Sequence, residues 1–322
     1  MNIALTGITG MVGSHFIKKL LEDNDVTDVT HPNSEKSATY NIKALIREGS
    51  VVEHLKTFED IDYIIGGLED KESLGKLVQD ADILLHLAHC PTGLQTNEEL
   101  IKVNIDGTFN LLEEARKAKV NQVIFMSSMT IFGDVLPTVN KENPIDENHP
   151  VRPASLYGAI KNSIEGLCFA FQKTRAFDIT ILRPAEIYGV KPQIDKSLWF
   201  QTIDYLATNY NVDVKGSMYY VSVDSVVQGI QCVMGNSETA GKIYHLLDDH
   251  IHNLNLAKMI ADTIDSFGEC EGVMGGEPKP MSNQAAKDIG VEFKGEEGIK
   301  EYIKLIHKLQ GEYGGERNIQ NW

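Results

Sequence analysis

Short apolar runs alternate with longer segments of helical spacing along the first two thirds of the chain. The runs suit strands, and the longer segments repeat apolar residues every three or four positions, as helices do. The predicted strands are Ile3–Leu5, Ile42–Ile46, Asp82–Leu87, Gln122–Met126, Ile179–Leu182 and Lys242–Leu247, and the predicted helices are His15–Leu21, Ser73–Gln79, Asn104–Ala118, Tyr157–Lys173 and Asp224–Val233. Strands that are apolar throughout are typical of parallel sheets covered on both faces. The pattern predicts an α/β, doubly wound parallel sheet, the Rossmann fold.

The charge balance narrows the class of partner. Lys and Arg number 30 and Asp and Glu number 46, giving a formal net charge of −16. Nucleic acids and anionic membranes both attract basic surfaces, so we expect neither as a partner. No apolar stretch approaches the roughly 20 residues of a membrane span, and we find no signal peptide. The four cysteines are far apart and form no C-x-x-C pair, so we expect no disulfide framework, no metal site and a cytoplasmic protein.

A glycine-rich turn follows the first predicted strand. Its glycines are spaced by three and stand directly before the first predicted helix. Glycine permits a tight turn and lets backbone N–H groups approach a pyrophosphate, to which the start of the helix adds its positive end. The other interpretation, three turn glycines without a ligand, explains this position between strand and helix less well. We predict a dinucleotide site formed by Gly7, Thr9, Gly10, Met11, Val12 and Gly13.

The end of the second predicted strand bears on the choice of dinucleotide. An acidic residue there holds the ribose 2′-hydroxyl of NAD, whereas an arginine suits the 2′-phosphate of NADP. The strand ends at Arg47, and the first acid is Glu48. A plain surface arginine is the other interpretation. We predict NADP as the cofactor, with NAD as the alternative.

Two regions depart from the alternation of strands and helices. Glu22–Asn41 is long and polar, and we expect an irregular loop there. The last third contains a Gly/Pro-rich loop at Gly272–Pro280 and an amphipathic final helix that includes Ile299–Leu309. We therefore predict a dinucleotide-binding domain and a smaller C-terminal substrate-binding lobe. The domain spans residues 1–190, with residues 220–250 returning to it, and the lobe spans residues 191–219 and 251–322.

A tyrosine and a lysine four residues apart suggest acid/base chemistry. On a helix Tyr157 and Lys161 share a face, and a nearby cation stabilises a phenolate. We therefore expect Lys161 to lower the pKa of Tyr157, which makes Tyr157 a candidate acid/base for a hydroxyl or carbonyl. Ser128 follows the strand Gln122–Met126, at the edge of the sheet where ligands bind. Its hydroxyl can hydrogen-bond the reacting oxygen, although serine also commonly caps turns.

The chain resembles the extended branch of the short-chain dehydrogenase/reductases, which includes NAD-dependent epimerase/dehydratases and dihydroflavonol-reductase-like enzymes. The similarity runs over nearly the whole chain. The motifs that carry it are TGITGMVG at 6–13, HLAH at 86–89, VNIDGTFNLLEEA at 103–115, MSSMTIFG at 126–133, PASLYGAIK at 153–161, LRPAEIYG at 182–189 and YVSVDSVVQGI at 220–230.

The resemblance implies roles for matching positions. It makes Ser128, Tyr157 and Lys161 a catalytic trio, in which Lys161 also binds the nicotinamide ribose. The other implied positions are the phosphate loop of Gly7, Gly10 and Gly13, Leu68 near the adenine, Leu87 and Ala88 beside the cofactor, Asn104 holding the active-site backbone, and Pro184 and Ile187 near the nicotinamide.

Departures from the family pattern bear on the substrate. Nucleotide-sugar members usually have an asparagine where this chain has Glu186, and a carboxylate there repels a diphosphate. They also tend to have an Arg-Asp pair where this chain has Met218 and Tyr219. The first acid of the adenine motif is absent at Gly67. These departures favour an uncharged carbonyl or hydroxyl substrate, with His89, Glu186 and Tyr188 as candidate pocket residues. His89 and Cys90 could equally line the loop without chemistry.

Three functions follow. The first is an NADP(H)-dependent oxidoreductase, in which Tyr157 exchanges a proton with the substrate oxygen that Ser128 positions. The second is a nucleotide-sugar epimerase that uses the same trio and holds NAD tightly. The third, a non-catalytic dinucleotide sensor, fits less well because such proteins commonly lose the tyrosine or lysine. Dehydration is disfavoured because Met129 and Thr130 replace the acid pair of the dehydratases.

Family members often dimerise through two helices, which correspond to Asn104–Ala118 and Tyr157–Lys173 here. We therefore expect a homodimer. An apolar stripe on the second helix fits such an interface, and core packing explains it equally well. The stripe consists of Ile160, Ile164, Leu167 and Phe171.

Overall fold

The computed structural model describes residues 1–22, 40–52, 55, 61–90, 96–133, 138–248, 250–275 and 278–313. The strands are β1 Asn2–Thr6, β2 Asn41–Ile46, β3 Ile61–Ile65, β4 Ile83–His86, β5 Gln122–Met126, β6 Asp178–Pro184, β7 Glu186–Tyr188, β8 Val212–Ser222, β9 Ile243–Leu246, β10 His250–His252 and β11 Cys270–Met274. The helices are α1 Met11–Glu22, α2 Lys71–Val78, α3 Asn97–Ile101, α4 Gly107–Ala118, α5 Leu156–Lys173, α6 Phe200–Ala207, α7 Val223–Val233, α8 Asn253–Thr263, α9 Gln284–Asp288 and α10 Gly295–Tyr313. The loop predicted at Glu22–Asn41 lies, for residues 23–39, outside the described part.

Seven parallel strands form the main sheet in the order β3-β2-β1-β4-β5-β6-β9. Strand order reverses direction between β1 and β4, which opens a crevice at the carboxyl ends of these two strands. The predicted doubly wound parallel sheet is confirmed. All six predicted strands belong to this sheet, and the edge strand β3 was missed because only part of it is buried.

Helices cover both faces of the sheet and bury two apolar layers. One layer contains Phe16 of α1 and Val226 of α7, and the other contains Leu111 of α4 and Ile160 of α5. The central strands β4 and β5 are buried along their whole length. Their largely apolar sequences therefore reflect contact with helices on each side.

The predicted helix Asn104–Ala118 begins earlier than expected. Thr96 and Glu99 form a capping box that starts α3 at Asn97, and a π-helical segment over Lys102–Asp106 joins α3 to α4. The wider π turn carries the buried Asn104. Such turns are frequently found at functional sites.

A smaller sheet organises the C-terminal lobe. Its centre is β8, which pairs with β7, β10 and β11. Strand β11 occupies the start of the segment Gly272–Pro280, which we expected to be a loop. Gly272 allows this because a Cβ there would collide with the carbonyl group of Val214 on β8. Nothing in the described chain combines the helix length and apolarity that crossing a bilayer requires.

The core of the lobe is aromatic. Trp199 stacks on Tyr188 with ring centroids 5.6 Å apart, and its edge contacts Tyr220 at 5.1 Å and Tyr302 at 5.6 Å. The Tyr302 hydroxyl donates to the carbonyl of Leu198 at 2.8 Å. Helix α10 thus closes the lobe against the segment that follows β7.

Candidate active site

The glycine turn packs against the loop that follows β4. Gly7 has φ of +82°, a left-handed conformation that favours glycine, and a Cβ there would lie 2.8 Å from the backbone N of Ala88. A Cβ on Gly13 would lie 2.7 Å from the Cα of Ile8. The turn between β1 and α1 is therefore closed to larger side chains, and it brings the start of α1 to the crevice. Thr9, Gly10, Met11 and Val12 complete it.

A buried histidine links this turn to α4. The Ala88 N–H donates to Thr6 Oγ1 at 3.2 Å, and His86 lies 2.7 Å from the same oxygen through Nδ1. On its other side His86 Nε2 lies 3.0 Å from Thr108 Oγ1, whose proton goes to the Asn104 carbonyl at 2.6 Å. Nε2 is therefore the protonated nitrogen, and the ring is neutral because burial lowers the pKa of His86 to about 3.

Asn104 holds the next part of the same loop. Its Oδ1 accepts from the Cys90 N–H at 2.9 Å, and its Nδ2 donates to the Cys90 carbonyl at 3.2 Å and to the Leu100 carbonyl at 2.9 Å. Together with His86 it fixes the backbone from Leu87 to Cys90. This arrangement agrees with the backbone-holding role that the resemblance implies for Asn104.

Two predicted cofactor residues lie at the ends of β2 and β3. Strand β2 ends at Ile46, so Arg47 directly follows its carboxyl end and its side chain is exposed. Leu68 is 6 % exposed, and its side chain packs into the core against Gly107 at the start of α4. The exposed side chain of Arg47 leaves its predicted contact with the cofactor open, whereas the buried side chain of Leu68 packs in the core.

The structure brings Ser128, Tyr157 and Lys161 together at the end of β5. Ser155 caps α5 by accepting from the Gly158 N–H at 3.1 Å, which starts the helix directly before Tyr157. The Tyr157 hydroxyl hydrogen-bonds Ser128, which also caps the short turn after β5 by accepting from the Thr130 N–H at 3.2 Å. Lys161 Nζ donates to the Met126 carbonyl at 2.7 Å.

The electrostatics of the trio differ from our expectation. Burial raises the pKa of Tyr157, an effect that the hydrogen bond from Ser128 opposes and the carboxylate of Glu186 reinforces. Lys161 itself is buried, which lowers its pKa to about 8, while the nearby Glu165 raises it. The predicted lowering by Lys161 was wrong for the protein alone, because desolvation outweighs a cation whose Nζ lies 5.9 Å from the Tyr157 ring centroid and is bonded to a carbonyl.

Two further predicted residues flank Tyr157 on the open side. The ring of His89 meets the Tyr157 ring edge-on with centroids 4.8 Å apart. Both of its nitrogens are buried and lack a hydrogen bond of ordinary geometry to any described residue, and burial lowers the pKa of His89 to about 4 although Asn104 opposes this. Glu186 is exposed on β7, forms no ion pair within the described chain, and its pKa is raised by partial desolvation.

The remaining predicted residues separate into two groups. Pro184 ends β6 and Ile187 lies in β7, both close to the carboxyl edge of the main sheet. Tyr188 is only 2 % exposed and packs in the aromatic core of the lobe, so the structure does not place its side chain at the cleft as we expected. Helix α10, which covers Tyr188, comes from more than a hundred residues later in the sequence.

Sequence reasoning missed a set of buried polar residues behind the trio. Glu165 follows Lys161 by four residues on α5 and forms an ion pair with Arg183 of β6, with Oε2 2.7 Å from Nη2. The helical spacing from Tyr157 through Lys161 to Glu165 was a signal that could have found it. The partner on β6 could not be found in this way, because only the fold brings it near.

The doubly wound sheet, its glycine turn and the Ser-Tyr-Lys trio define the extended class of short-chain dehydrogenase/reductases. The family model of the NAD-dependent epimerase/dehydratase family matches residues 3–246. The chain belongs to this family.

Relatives within the family differ in their reactions. The chain is 25 % identical to an uncharacterized UDP-glucose epimerase of Bacillus subtilis over 262 residues, 76 % of each protein. It is 26 % identical over 212 residues to a dihydroquinoline-oxide ketoreductase of Stigmatella aurantiaca, covering 65 % of this chain and 61 % of the ketoreductase. A dTDP-glucose 4,6-dehydratase of Streptomyces venezuelae, solved with NAD, superposes with a TM-score of 0.77 at 19 % identity, covering 97 % of this chain and 98 % of that one.

Proposed function

We propose that the chain is an NADP(H)-dependent oxidoreductase that transfers a hydride between nicotinamide and the carbonyl or secondary alcohol of a small uncharged substrate. The observation that carries this proposal is that a neutral histidine and a carboxylate lie beside the tyrosine of the trio. Tyr157 hydrogen-bonds Ser128, and beside it lie a neutral imidazole at His89 and a carboxylate at Glu186. A carboxylate in this position disfavours a diphosphate-bearing substrate.

The residues present suit a dinucleotide. The glycines let the turn pack tightly against the loop after β4, and the start of α1 offers N–H groups and the positive end of the helix. Lys161 would hold the nicotinamide ribose, and Pro184 and Ile187 would border the ring. When bound, the cofactor supplies the hydride chemistry, and the protein supplies orientation and proton handling.

Proton transfer is the part of the reaction that residues of the chain itself perform. For reduction, the protonated Tyr157 donates to the substrate oxygen, and its raised pKa keeps the phenol protonated at neutral pH. On substrate binding, the single proton of the Ser128 hydroxyl would turn from Tyr157 to the reacting oxygen and hold that oxygen within reach of the phenol. The side chains of His89 and Glu186 then bind the hydroxyl or amide hydrogens of the substrate.

Arg47 supports NADP, whereas the family description and the NAD-bound dehydratase support NAD as the alternative. The test begins with denaturing a purified sample and looking for released dinucleotide. The remainder is titrated with NADPH and NADH by fluorescence, with Arg47→Glu as the variant and Glu48→Gln as its neighbouring control. Protein that arrives empty and prefers NADPH, with the preference reversed only by Arg47→Glu, supports the proposal. A panel of carbonyl compounds then identifies the substrate.

The epimerase is the second candidate, because the Bacillus subtilis relative bears that name and the trio suits both reactions. Protein that arrives with tightly held NAD, and that interconverts a UDP-sugar without net oxidation, would replace the oxidoreductase proposal. Net consumption of NAD(P)H with a carbonyl substrate distinguishes the two reactions.

We also propose a homodimer formed through α4 and α5. Phe109 on α4 and Phe169 on α5 are 44 % and 39 % exposed. The stripe considered from the sequence does not carry this proposal, because Ile160, Ile164 and Phe171 are buried in the core of one chain. Light scattering at micromolar concentration tests the homodimer, and a monomer would contradict it.

We also propose a cytoplasmic location, which the free thiols of all four cysteines support.

A further inference from the structure

Behind the trio lies a buried polar cluster formed by Ser127, Glu165, Arg183 and His245. Each of these residues is at most 3 % exposed. They come from the end of β5, from α5, from β6 and from β9. The cluster therefore joins the carboxyl ends of three strands to the helix that carries Tyr157 and Lys161.

The carboxylate of Glu165 is the centre of this cluster. It accepts from Ser127 Oγ at 2.5 Å, from Arg183 Nε at 3.0 Å and from Arg183 Nη2 at 2.7 Å. Arg183 Nη1 donates to the Glu147 carbonyl at 3.2 Å and lies 3.3 Å from Nε2 of His245. Burial keeps the pKa of His245 at about 3, so the neutral ring accepts from Arg183. Every charged group in the cluster thus has hydrogen-bonding partners.

The cluster touches the catalytic groups at two points. Ser127 stands between Met126, whose carbonyl receives Lys161, and Ser128, which bonds Tyr157. On α5, Glu165 follows Lys161 by one helical turn, so the two side chains share a face. One carboxylate therefore holds the strand end that positions both Ser128 and Lys161.

Glu165 is also the carboxylate that faces Lys161. The other titratable groups around Lys161 are Tyr157 and Cys168 on α5, His86 on β4 and His89 in the following loop. Burial keeps both histidines neutral, and it raises the pKa of the Cys168 thiol, so that group is neutral as well. Among the described residues, Glu165 is the group that opposes the loss of the Lys161 proton through its negative charge.

We propose that Glu165 is a positioning residue that fixes the end of β5 through Ser127 and Arg183 and keeps the Lys161 ammonium charged beside Tyr157. The catalytic consequence rests on the proposed function, since it assumes that Tyr157 and Lys161 act on a substrate. The effect on the charge of Lys161 does not depend on that assumption. It can therefore be measured separately.

The experiment is an NMR titration of the full chain labelled at the Cε of lysine, with Lys161→Arg to assign the signal. In the wild type we expect the signal to titrate with a midpoint near pH 8, because burial lowers the pKa of Lys161 to about 8. In Glu165→Gln, which keeps the size and the hydrogen-bonding oxygen, we expect the midpoint to fall by about one pH unit, since a close opposite charge shifts a pKa by roughly 1–3 units. An unchanged midpoint in a folded Glu165→Gln protein would overturn the proposal.

Glu147→Gln is the matched control, because it removes the same charge from a carboxylate that bonds the His245 N–H at 3.0 Å rather than facing Lys161. It should leave the midpoint of Lys161 in place. If Glu165→Gln fails to fold, Glu165→Gln combined with Arg183→Met removes both ions and leaves no unpaired charge buried. This double variant should show a smaller fall in the same direction, because removing the Arg183 cation offsets part of the loss of the Glu165 charge, and a wild-type midpoint in it would contradict the proposal.

A second measurement separates this inference from the proposed function. Once a carbonyl substrate is known, the alkaline limb of the rate profile should move to lower pH in Glu165→Gln, and Glu165→Asp should partly restore it. A shifted Lys161 signal, combined with a wild-type protein that consumes no NAD(P)H with any compound of the carbonyl panel, would refute the proposed function and leave the effect on Lys161 standing. A shifted signal with an unmoved alkaline limb would refute the catalytic consequence.

Discussion

The two sides of Tyr157 differ in how completely their polar groups are hydrogen-bonded within the protein. On the inner side, the buried polar cluster pairs each charge with several hydrogen-bonding groups, and Glu165 alone accepts three hydrogen bonds. On the open side, both ring nitrogens of His89 are buried without such partners in the described chain, and Glu186 forms no ion pair there. Buried polar groups are otherwise nearly always paired. The inner side is therefore complete within the protein, whereas the ring nitrogens of His89 and the carboxylate of Glu186 have hydrogen-bonding capacity that the described residues leave unused.

The difference teaches how this site divides its tasks. Groups that hold the catalytic geometry gain from rigid, fully bonded surroundings, because reorganisation during a reaction costs free energy. Groups that select a substrate must instead leave hydrogen bonds unmade until it arrives. Four predictions test this division, and they follow in order of decreasing effect.

Tyr157→Phe tests the residue that lies between the two sides. The variant keeps the ring that contacts His89 and removes the hydroxyl that bonds Ser128, so we expect turnover to fall by about 100- to 10,000-fold, the usual contribution of a general acid. Cofactor affinity should stay the same. The measurement compares steady-state NAD(P)H consumption with fluorescence titration of the cofactor, and full turnover in the variant would refute the role of Tyr157.

Gly13→Ala tests whether the tight turn between β1 and α1 tolerates an added methyl group. A methyl group there meets the Cα of Ile8 at 2.7 Å, so the turn must move and we expect cofactor affinity to fall about tenfold or more, equivalent to roughly 1.4 kcal/mol. Gly166→Ala on α5 is the matched control, because no atom lies within 4 Å of the added group. It should leave binding unchanged and stabilise the helix by about 0.5–1 kcal/mol. Equal binding by both variants would contradict this account of the turn.

Substitutions on the open side should change substrate affinity rather than stability. For Glu186→Gln and His89→Leu, we expect KM to rise by about fivefold or more, since an unmade hydrogen bond to substrate costs roughly 1–3 kcal/mol. The free energy of unfolding should hold or rise, because these side chains have no strong partners in the protein. Ser127→Ala is the contrasting inner variant and should lower that free energy. A loss of stability in His89→Leu as large as in Ser127→Ala would contradict the difference between the two sides.

Acid should lower the free energy of unfolding through His86, which links the glycine turn to α4. Its pKa is about 3 in the folded protein and about 6.5 in the unfolded chain, so between these values the unfolded chain binds the extra proton. Stability therefore falls as the pH drops below 6.5, by up to about 1.4 kcal/mol per pH unit for this residue. Urea unfolding at pH 7 and pH 5 should show a smaller loss in His86→Asn than in the wild type. His245 contributes with the same sign, so part of the slope should remain.

Features with a fixed local spacing could be predicted from the sequence. The glycine turn between β1 and α1 and the positions of Tyr157 and Lys161 on one helical face follow from the geometry of single elements. Ser128 at the end of β5 could be placed because it follows the apolar run of residues 123–126. The sheet itself follows from the alternation of such runs with helices.

Features that depend on remote segments could not be predicted. Tyr188 was expected at the cleft, but α10 covers it, and a distant helix leaves no trace in the sequence around Tyr188. The pKa of Tyr157 shifts upward because packing removes water, which outweighs the local effect of Lys161. Arg183 reaches Glu165, and His245 reaches Arg183, only after three strands align.

The pairing of β8 has a consequence for the order in which the protein folds on the ribosome. All strands of the main sheet except β9 are contained in residues 2–184, so the cofactor half can assemble while later residues are still being added. Strand β8 needs β10 and β11, and α10 completes the lobe only at residues 295–313. The half of the chain that forms the main sheet can therefore fold before the lobe organised by β8 is complete.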